Sequence, residues 1–438
     1  MKTSHSIAAT LACLFAISSG WAQEAQGQRS DFELTAALGR SDNLGRSDSN
    51  EVIANYVDIG TVIDWARTGK RYQFAVSSDL SFREFDEDTF DGQLFGDLDA
   101  ILNLSLVPEM LSWTVQNRLG QGRINELQPA APDNRQDIND FTTGPRLALP
   151  IGRVGQLSAE ATYSTRTFDN SGANADSDAT VVRLDYTRAL NASRNIGLAA
   201  VQRQIEFDDL LSTEFDINSY FLTINSATPD GSLSVELGLD RIDRIVDKDQ
   251  GLRARLTWVR AVGAYSSLSL SAGRRLTDNG SLLGQSANGD VFDRTNQIAA
   301  INDALRRTDF IATFEINRPR SKFDVSLGWI DDEFETLSIN DAERYTLRSS
   351  LRRDVSPRAN IVVDGQFLRR DFSGADERND EWQVSIGYNV EVGRRSNVGV
   401  QYVRRSQLNM TMNKFSSKSM RSVECWLRLC LHCKLHTC

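Results

Sequence analysis

Glu381-Trp-Gln-Val-Ser-Ile-Gly-Tyr-Asn-Val-Glu-Val392 is the stretch that decides the fold. Trp382, Val384, Ile386, Tyr388, Val390 and Val392 fall on one face of an extended chain, and Glu381, Gln383, Ser385, Gly387, Asn389 and Glu391 on the other. Successive side chains of a strand point to opposite sides, so a period of two predicts a strand with one apolar and one polar face. The same rule holds outward from this stretch. It gives Phe323/Val325/Leu327/Trp329 against Asp324/Ser326/Gly328, Leu252/Ala254/Leu256/Trp258 against Arg253/Arg255/Thr257, and Leu233/Val235/Leu237/Leu239 against Ser234/Glu236/Gly238/Asp240. Further back it gives Leu157/Ala159/Ala161/Tyr163, Leu98/Ala100/Leu102/Leu104/Leu106 and Tyr72/Phe74/Val76 with Leu80/Phe82. No segment between Asp31 and Arg405 carries a convincing helical period.

The connections set the architecture. Short ones fall near 66–70, 107–110, 150–155, 190–195, 228–231, 262–264, 318–321, 354–358 and 393–396. Longer polar ones fall near 40–50, 86–93, 121–139, 168–179, 208–216, 244–250, 277–307, 336–341 and 372–380. The two kinds alternate, as in an up-and-down antiparallel transmembrane β-barrel with tight periplasmic turns on one rim and long external loops on the other. Hydrocarbon satisfies no backbone hydrogen bond, so strands cross it only in a closed barrel. The apolar face then meets lipid and the polar face lines the lumen. Tyr163, Trp113, Trp258, Trp329, Trp382, Tyr388 and Tyr402 lie on the apolar faces, several near strand ends where interfacial aromatics belong. Nineteen strands are readable, from 31–39 to 397–405. Barrels of one bacterial chain use even numbers, so either a twentieth strand occupies the tail or one of the nineteen is not a strand, which predicts about 18–20 strands.

Composition narrows the classes. The chain has 438 residues, 49 Lys plus Arg against 59 Asp plus Glu, and a formal charge of −10, which argues against nucleic acid as a partner. Lys occurs only at 2, 70, 248, 322, 414, 418 and 434, so the cations are overwhelmingly Arg. Residues 1–22 read as a signal peptide: Lys2, an apolar run from Ile7 to Ser19, and the small-x-small site Gly20-Trp21-Ala22. Residues 23–30 then form a periplasmic N-terminal segment, 31–405 the barrel, and 406–438 an atypical Cys-rich tail. Cys425, Cys430, Cys433 and Cys438 crowd into that tail with His432 and His436, at a spacing that matches no metal motif. Acidic residues nearly vanish there, so the tail reads as frameshifted or degenerate. Closing strands of such barrels normally end on an aromatic residue, whereas Leu435-His-Thr-Cys438 does not, a departure that bears on recognition by the outer-membrane assembly machinery.

The body offers little catalytic chemistry. Residues 6–431 contain no His, and no Cys lies between Cys13 and Cys425, so a Ser-His-Asp or Cys-His site is excluded there. Asp97 and Asp99 share one strand face, as lumen carboxylates of any polar wall do. Asp-rich segments at Phe85–Asp88 and Asp331–Glu333 offer oxygen ligands for Ca²⁺, but solvated external loops explain them better. The reading is of a protein that is not an enzyme and needs no cofactor or metal. The lumen-lining candidates for selectivity are Arg166, Arg183, Arg253, Arg255, Arg344, Arg348 and Arg352, interleaved with Asp97, Asp99, Asp185, Asp240 and Asp324. Glu160, Glu236 and Glu315 share the same wall. Arg suits it because its planar fork pairs bidentately with carboxylates and hydroxyl-rich ligands. The connection at 277–307, with Gly280, Gly284 and Gly289, is the candidate constricting loop, since loops this long are usually functional. No plug domain precedes Asp31, which speaks against a TonB-type transporter.

Leu34-Thr-Ala-Ala-Leu-Gly-Arg-Ser-Asp-Asn-Leu44 resembles the opening of β-barrel porins encoded with exopolysaccharide-biosynthesis genes, in which a first strand runs into an Asp-Asn-aliphatic turn. The Arg-rich segment Tyr345-Thr-Leu-Arg-Ser-Ser-Leu-Arg-Arg-Asp354 is similar to later hairpins of that family. The likeness covers most of the chain in character, and its motif-like part is the Ser41-Asp-Asn-Leu44 turn. It implies an outer-membrane protein of a Gram-negative bacterium, with membrane lipid and polysaccharide as partners, that passes exopolysaccharide or other hydrophilic solutes. The competing reading is a non-conducting barrel that serves as a surface receptor, adhesin or structural protein.

Overall fold

The computed structural model describes residues 28–45, 51–86, 90–125, 128, 131–169, 176–208, 214–244, 248–278, 303–374, 377–393, 396–411 and 416–433. Residues 1–22, read as a signal peptide, the tip of the 277–307 connection, residues 87–88 and Cys438 lie outside them.

Twenty antiparallel strands make one sheet. They are β1 (Gln28–Ser41), β2 (Ala54–Thr68), β3 (Tyr72–Phe85), β4 (Gln93–Val107), β5 (Leu111–Gly122), β6 (Gln136–Ile151) and β7 (Gly155–Phe168). Next come β8 (Ser177–Asn191), β9 (Arg194–Phe207), β10 (Phe215–Thr228), β11 (Gly231–Arg244), β12 (Lys248–Gly263), β13 (Ser266–Asp278) and β14 (Ala304–Arg318). The last six are β15 (Ser321–Phe334), β16 (Ala342–Ser356), β17 (Ala359–Phe372), β18 (Glu377–Glu391), β19 (Ser396–Thr411) and β20 (Ser416–Cys433). Each strand pairs with the next, and β20 pairs back onto β1 from Phe32↔Cys433 to Ser41↔Glu424. The sheet is therefore a closed up-and-down ring.

Several boundaries differ from the sequence reading: β1 already begins at Gln28, inside the segment 23–30 expected to precede the barrel, and Asp331–Glu333, expected in an external loop, lies within β15. The strand pattern was expected to stop at Arg405; β19 continues to Thr411, and the tail supplies the twentieth strand. The connection expected to be long at 244–250 is short, because β11 runs to Arg244 and β12 begins at Lys248. A single 3-10 turn, Ser338–Asn340, interrupts the loop between β15 and β16.

The outer face is apolar. On β18, Val384, Ile386 and Tyr388 are 48, 51 and 48% exposed, with Trp382 at the start of the run. From Trp382 to Val392 is about 34 Å along a strand, and a tilt of roughly 40° reduces that to about 26 Å, the height of a transmembrane barrel's apolar band. Toward the long-loop rim this face turns charged. Arg369 pairs with Asp380 at 2.8 Å, and Asp243 with Arg241 at 3.0 Å and Lys248 at 3.3 Å. At the border, the Trp329 indole N–H and the Tyr345 hydroxyl both donate to Glu343 Oε1, at 2.7 and 2.6 Å. Near the opposite rim, Trp113 Nε1 donates to Thr143 Oγ1 at 2.8 Å. Among the described residues no helix is long and apolar enough to cross a membrane; the elements that match its thickness are strands.

Candidate functional site: the lumen and its infolded hairpin

The inner face divides into two zones. Its short-turn half carries cross-strand ladders of hydroxyls and amides among scattered charges such as Glu315, Asp324, Arg352 and Asp364. Thr114 donates to Asn103 at 2.7 Å, Asn225 bridges Asn195 and Ser234 at 2.9 and 2.7 Å, Thr313 meets Ser326 at 3.0 Å, and Asn389 donates to Asn360 at 3.3 Å. The long-loop half is charged and much more heavily buried.

In that half the strands β13 and β14 bend into the lumen. Leu276, Thr277 and Asp278 are buried in succession, as are Asp303, Ala304 and Leu305, whereas a strand on the wall would bury alternate residues at most. Leu276 and Ala304 pack with Ile205, Phe215, Ile217 and Ile242, which point inward from β9, β10 and β11. Polar tethers reinforce the fold. Arg203 of β9 pairs with Asp278 at 2.7 Å, and the fully buried Asp240 carboxylate accepts the Leu276 N–H at 2.9 Å. Asp303 accepts the N–H groups of Thr336 and Leu337 at 2.8 and 3.0 Å and lies 3.6 Å from Arg244. The register explains how the bend is possible: β12 stays paired with β11 out to Lys248, but its pairing with β13 stops at Ala254↔Arg274. The connection named as the candidate constriction thus leaves and re-enters the wall from inside the barrel; its tip lies outside the described residues.

A second group reaches inward from another side. Arg123, just beyond β5, pairs bidentately with Glu381 of β18 at 2.7 and 2.9 Å, seven strands away around the ring. Arg370 of β17 shares the same carboxylate at 2.8 Å. Gln136 fastens the loop by donating to the Arg123 carbonyl at 3.0 Å.

The structure places the sequence-predicted residues on the inner face but gives them different surroundings. Arg166 is buried against Asp140, and Arg344 against Asp332, which also holds Arg307 through a 2.6 and 2.8 Å fork. Arg253 touches Glu236 at 3.3 Å and Asp240 at 3.4 Å, and lies 4.4 Å over the Phe221 ring. Arg183 pairs with Asp185 at 2.7 Å two residues along its own strand, and Asp99 lies 3.5 Å from Arg118. Arg255 is exposed to the lumen, and Arg348 is half-buried. Arg352 sits near the short-turn end, 3.8 Å from Asp354. Asp97 faces Asp79 across β3 and β4, and Asp324 faces Glu315 across β14 and β15. Arg123, Glu381, Arg203 and Asp278 were not singled out in the sequence, and no local motif marks them.

In the loop between β15 and β16, above the apolar band, burial pushes the carboxyls of Glu335 and Asp341 above the usual carboxylate range. Arg306, 3.3 Å from Glu335, and the Phe334 N–H that Asp341 accepts at 2.7 Å act in the opposite direction.

The turn that carries the family resemblance packs Leu44 onto Ala54, Tyr56 and Phe85, which point inward from β2 and β3. Ser41, Asn43 and Leu44 are buried at the seam, where Asp42 N–H donates to the Val423 carbonyl at 3.3 Å and Val423 N–H returns to the Asp42 carboxylate at 2.6 Å. This turn latches the first strand to the last.

No protein-family model matches the chain, and no curated protein matches it in sequence. Among solved structures, the siderophore receptor PirA from Pseudomonas aeruginosa matches over 94% of this chain and 81% of its own, at 11% identity and a TM-score of 0.48. PirA from Acinetobacter baumannii gives 93%, 81%, 8% and 0.49. OpdO from Pseudomonas aeruginosa gives 94%, 98%, 12% and 0.39. At such identities nothing about cargo passes from those proteins to this one.

Proposed function

We propose that this protein is an outer-membrane channel for hydrophilic solutes, narrowed from its external side by the infolded β13–β14 hairpin and the Arg123 arm. The observation that carries the reading is the pairing of an apolar outer band with a polar inner wall in a closed ring. An apolar belt of this extent is not left facing water, and in hydrocarbon it is accommodated at no cost. Twenty strands enclose more space than side chains can fill: barrels of 16–18 strands leave an aqueous channel, and eight-stranded ones are packed solid. The ladders of Asn, Thr and Ser below the constriction offer hydrogen-bond partners to sugars and other uncharged polar cargo. Passage of exopolysaccharide is the finer form of the proposal, and its support is the resemblance carried by Ser41–Leu44.

Single-channel recording in a planar bilayer tests the reading, using mature protein refolded in detergent beside a variant lacking residues 281–301. The deletion spares Asp303, whose carboxylate anchors the start of β14. Steady openings in the native protein, with larger conductance in the deletion, are expected. Silence from both folded proteins would reject the channel and favour a receptor or structural barrel. Reduction of the native current by added polysaccharide would support the finer form.

A further inference from the structure

We infer that the outer face of β5–β10 is an interface between copies of this chain, which close side by side into a ring of three. The inference rests on the membrane barrel of the proposed function but not on its conduction. Its basis is a row of neutral polar side chains where contact with lipid calls for apolar ones. Asn117, Asn139, Thr165, Thr180, Gln202 and Asn218 stand one on each of these six consecutive strands. Strand parity turns them outward, on the same faces as the exposed Trp113, Tyr163, Val182, Leu198 and Tyr220. On β15–β18 the outer face passes from a rim charge to an apolar residue in one step of two: Asp331 to Trp329, Glu343 to Tyr345, Arg369 to Phe367 and Asp380 to Trp382. Here neutral residues intervene. Glu206 is followed by Gln204 and Gln202, Asp216 by Asn218, Asp178 by Thr180, and Asp137 by Asn139. Below Gln202 only Ile196, Leu198 and Ala200 continue the apolar face, about 14 Å along the strand, so Gln202 sits inside the roughly 25 Å band rather than above it. Neutral residues recur on other strands at Thr61, Gln250, Thr308 and Ser349 without forming a row.

An amide brings two donors and an acceptor, and a hydroxyl one donor and an acceptor; hydrocarbon serves none of them. Asn117 Nδ2 donates to Asn139 Oδ1 at 2.8 Å, which uses part of that capacity, and Thr180 and Gln202 are exposed. A second copy suits the row because amides and hydroxyls both donate and accept, so they pair with their own kind and need no complementary charge. The extent of the row sets the number of copies. Six of twenty strands span about 108° of the ring. Two convex barrels meeting as a dimer touch along a narrower strip, whereas each member of a closed ring of three meets two neighbours in directions about 60° apart. The strands β5–β7 of one copy then face β8–β10 of the next, a head-to-tail contact that closes on itself. Ala159, Ala161 and Ala200 lie below the row and keep that part of the face low, which lets neighbouring sheets approach.

Light scattering of the mature protein refolded in detergent, with the detergent's mass subtracted, tests the inference. The native protein is expected to have the mass of three copies. Gln202→Leu with Asn218→Leu, and separately Asn117→Leu with Asn139→Leu, should each lower that mass about threefold, because either pair removes one side of a head-to-tail contact. Leucine is at home on a lipid-facing strand, so both double variants should still fold, and heat-modifiable migration checks that they do. Ser349→Leu, outward on β16 and far around the ring, should leave the three-copy mass unchanged. A native mass of one or two copies overturns the inference, and single copies that still conduct leave the channel standing. A three-copy mass that survives both double variants, or one lost equally in Ser349→Leu, also overturns it. Protein that stays soluble without detergent would reject the membrane barrel and remove the inference with it.

Discussion

Asp332 is the residue on which the long-loop half of the wall turns. It is fully buried, and it is flanked by Arg307 on one neighbouring strand and Arg344 on the other. Removing one member of a buried ionic group strands the others, at a cost of about 3–5 kcal/mol. Asp332→Ala should therefore lower the urea midpoint of the folded barrel in lipid vesicles by that equivalent. Asp354→Ala serves as the contrast, because its pair with Arg352 is loose and exposed at 3.8 Å, and its effect should stay within about 1 kcal/mol. Tryptophan fluorescence reads both transitions, and equal midpoints for the two variants would show that Asp332 is not the counter-ion. Parity in the sequence was enough to put Arg344, Asp240 and Arg166 inside. It could not say which inward charges face water and which are locked in pairs, because that depends on the register between strands. Arg123 and Glu381 are the extreme case: they are far apart in the chain and join only when the ring closes.

At the scale of elements, the β15–β16 loop ties itself to the infolded hairpin through Asp303 and Arg306, and this loop should respond to pH. Burial raises the carboxyls of Glu335 and Asp341, so the folded loop binds protons more tightly than the unfolded chain. Stability is then greatest below the ordinary carboxylate range near about 4.3 and falls as pH rises through the raised values, levelling off above them. Glu335→Gln should flatten part of that fall, most simply seen as slower amide exchange of Thr336 and Leu337 at neutral pH relative to the native protein. Exchange rates identical in both proteins across that range would remove Glu335 from the account. The elements themselves were legible where apolar and polar residues alternate cleanly, as in β18. Strand β20 was legible only as one of two ways to make the count even, although Val423, Cys425, Leu427, Leu429 and Leu431 alternate with Glu424, Trp426, Arg428, Cys430 and His432. The loss of acidic residues and the crowd of cysteines drew attention away from a period of two that is present. The inward bend of β13 was beyond such reading, since Leu276, Thr277 and Asp278 are buried in succession by contacts with β9 and β11 rather than by a local pattern.

The whole molecule depends on closure. β20 pairs with β19 at sixteen positions from Ser396↔Leu431 to Thr411↔Ser416, and with β1 at ten from Phe32↔Cys433 to Ser41↔Glu424. Without it, β1 and β19 would each present an open edge within the apolar band. Every unsatisfied backbone group in hydrocarbon costs several kcal/mol, so even a few exceed the roughly 5–15 kcal/mol that a folded protein has in hand. A chain truncated after Thr411 should therefore give no heat-modifiable band after refolding into detergent or vesicles. Two point changes separate backbone closure from any chemistry of the cysteines. Leu427→Pro deletes an N–H in the middle of β20 and should reproduce much of the truncation's effect, because proline cannot donate to a ladder. Cys425→Ser leaves every backbone bond in place at an outward-facing, exposed position and should fold as the native chain does. If the truncated chain folds and conducts like the full one, a nineteen-stranded ring must close β1 directly on β19, and the Asp42–Val423 latch is dispensable; if Cys425→Ser alone fails, the thiol rather than the strand holds the seam.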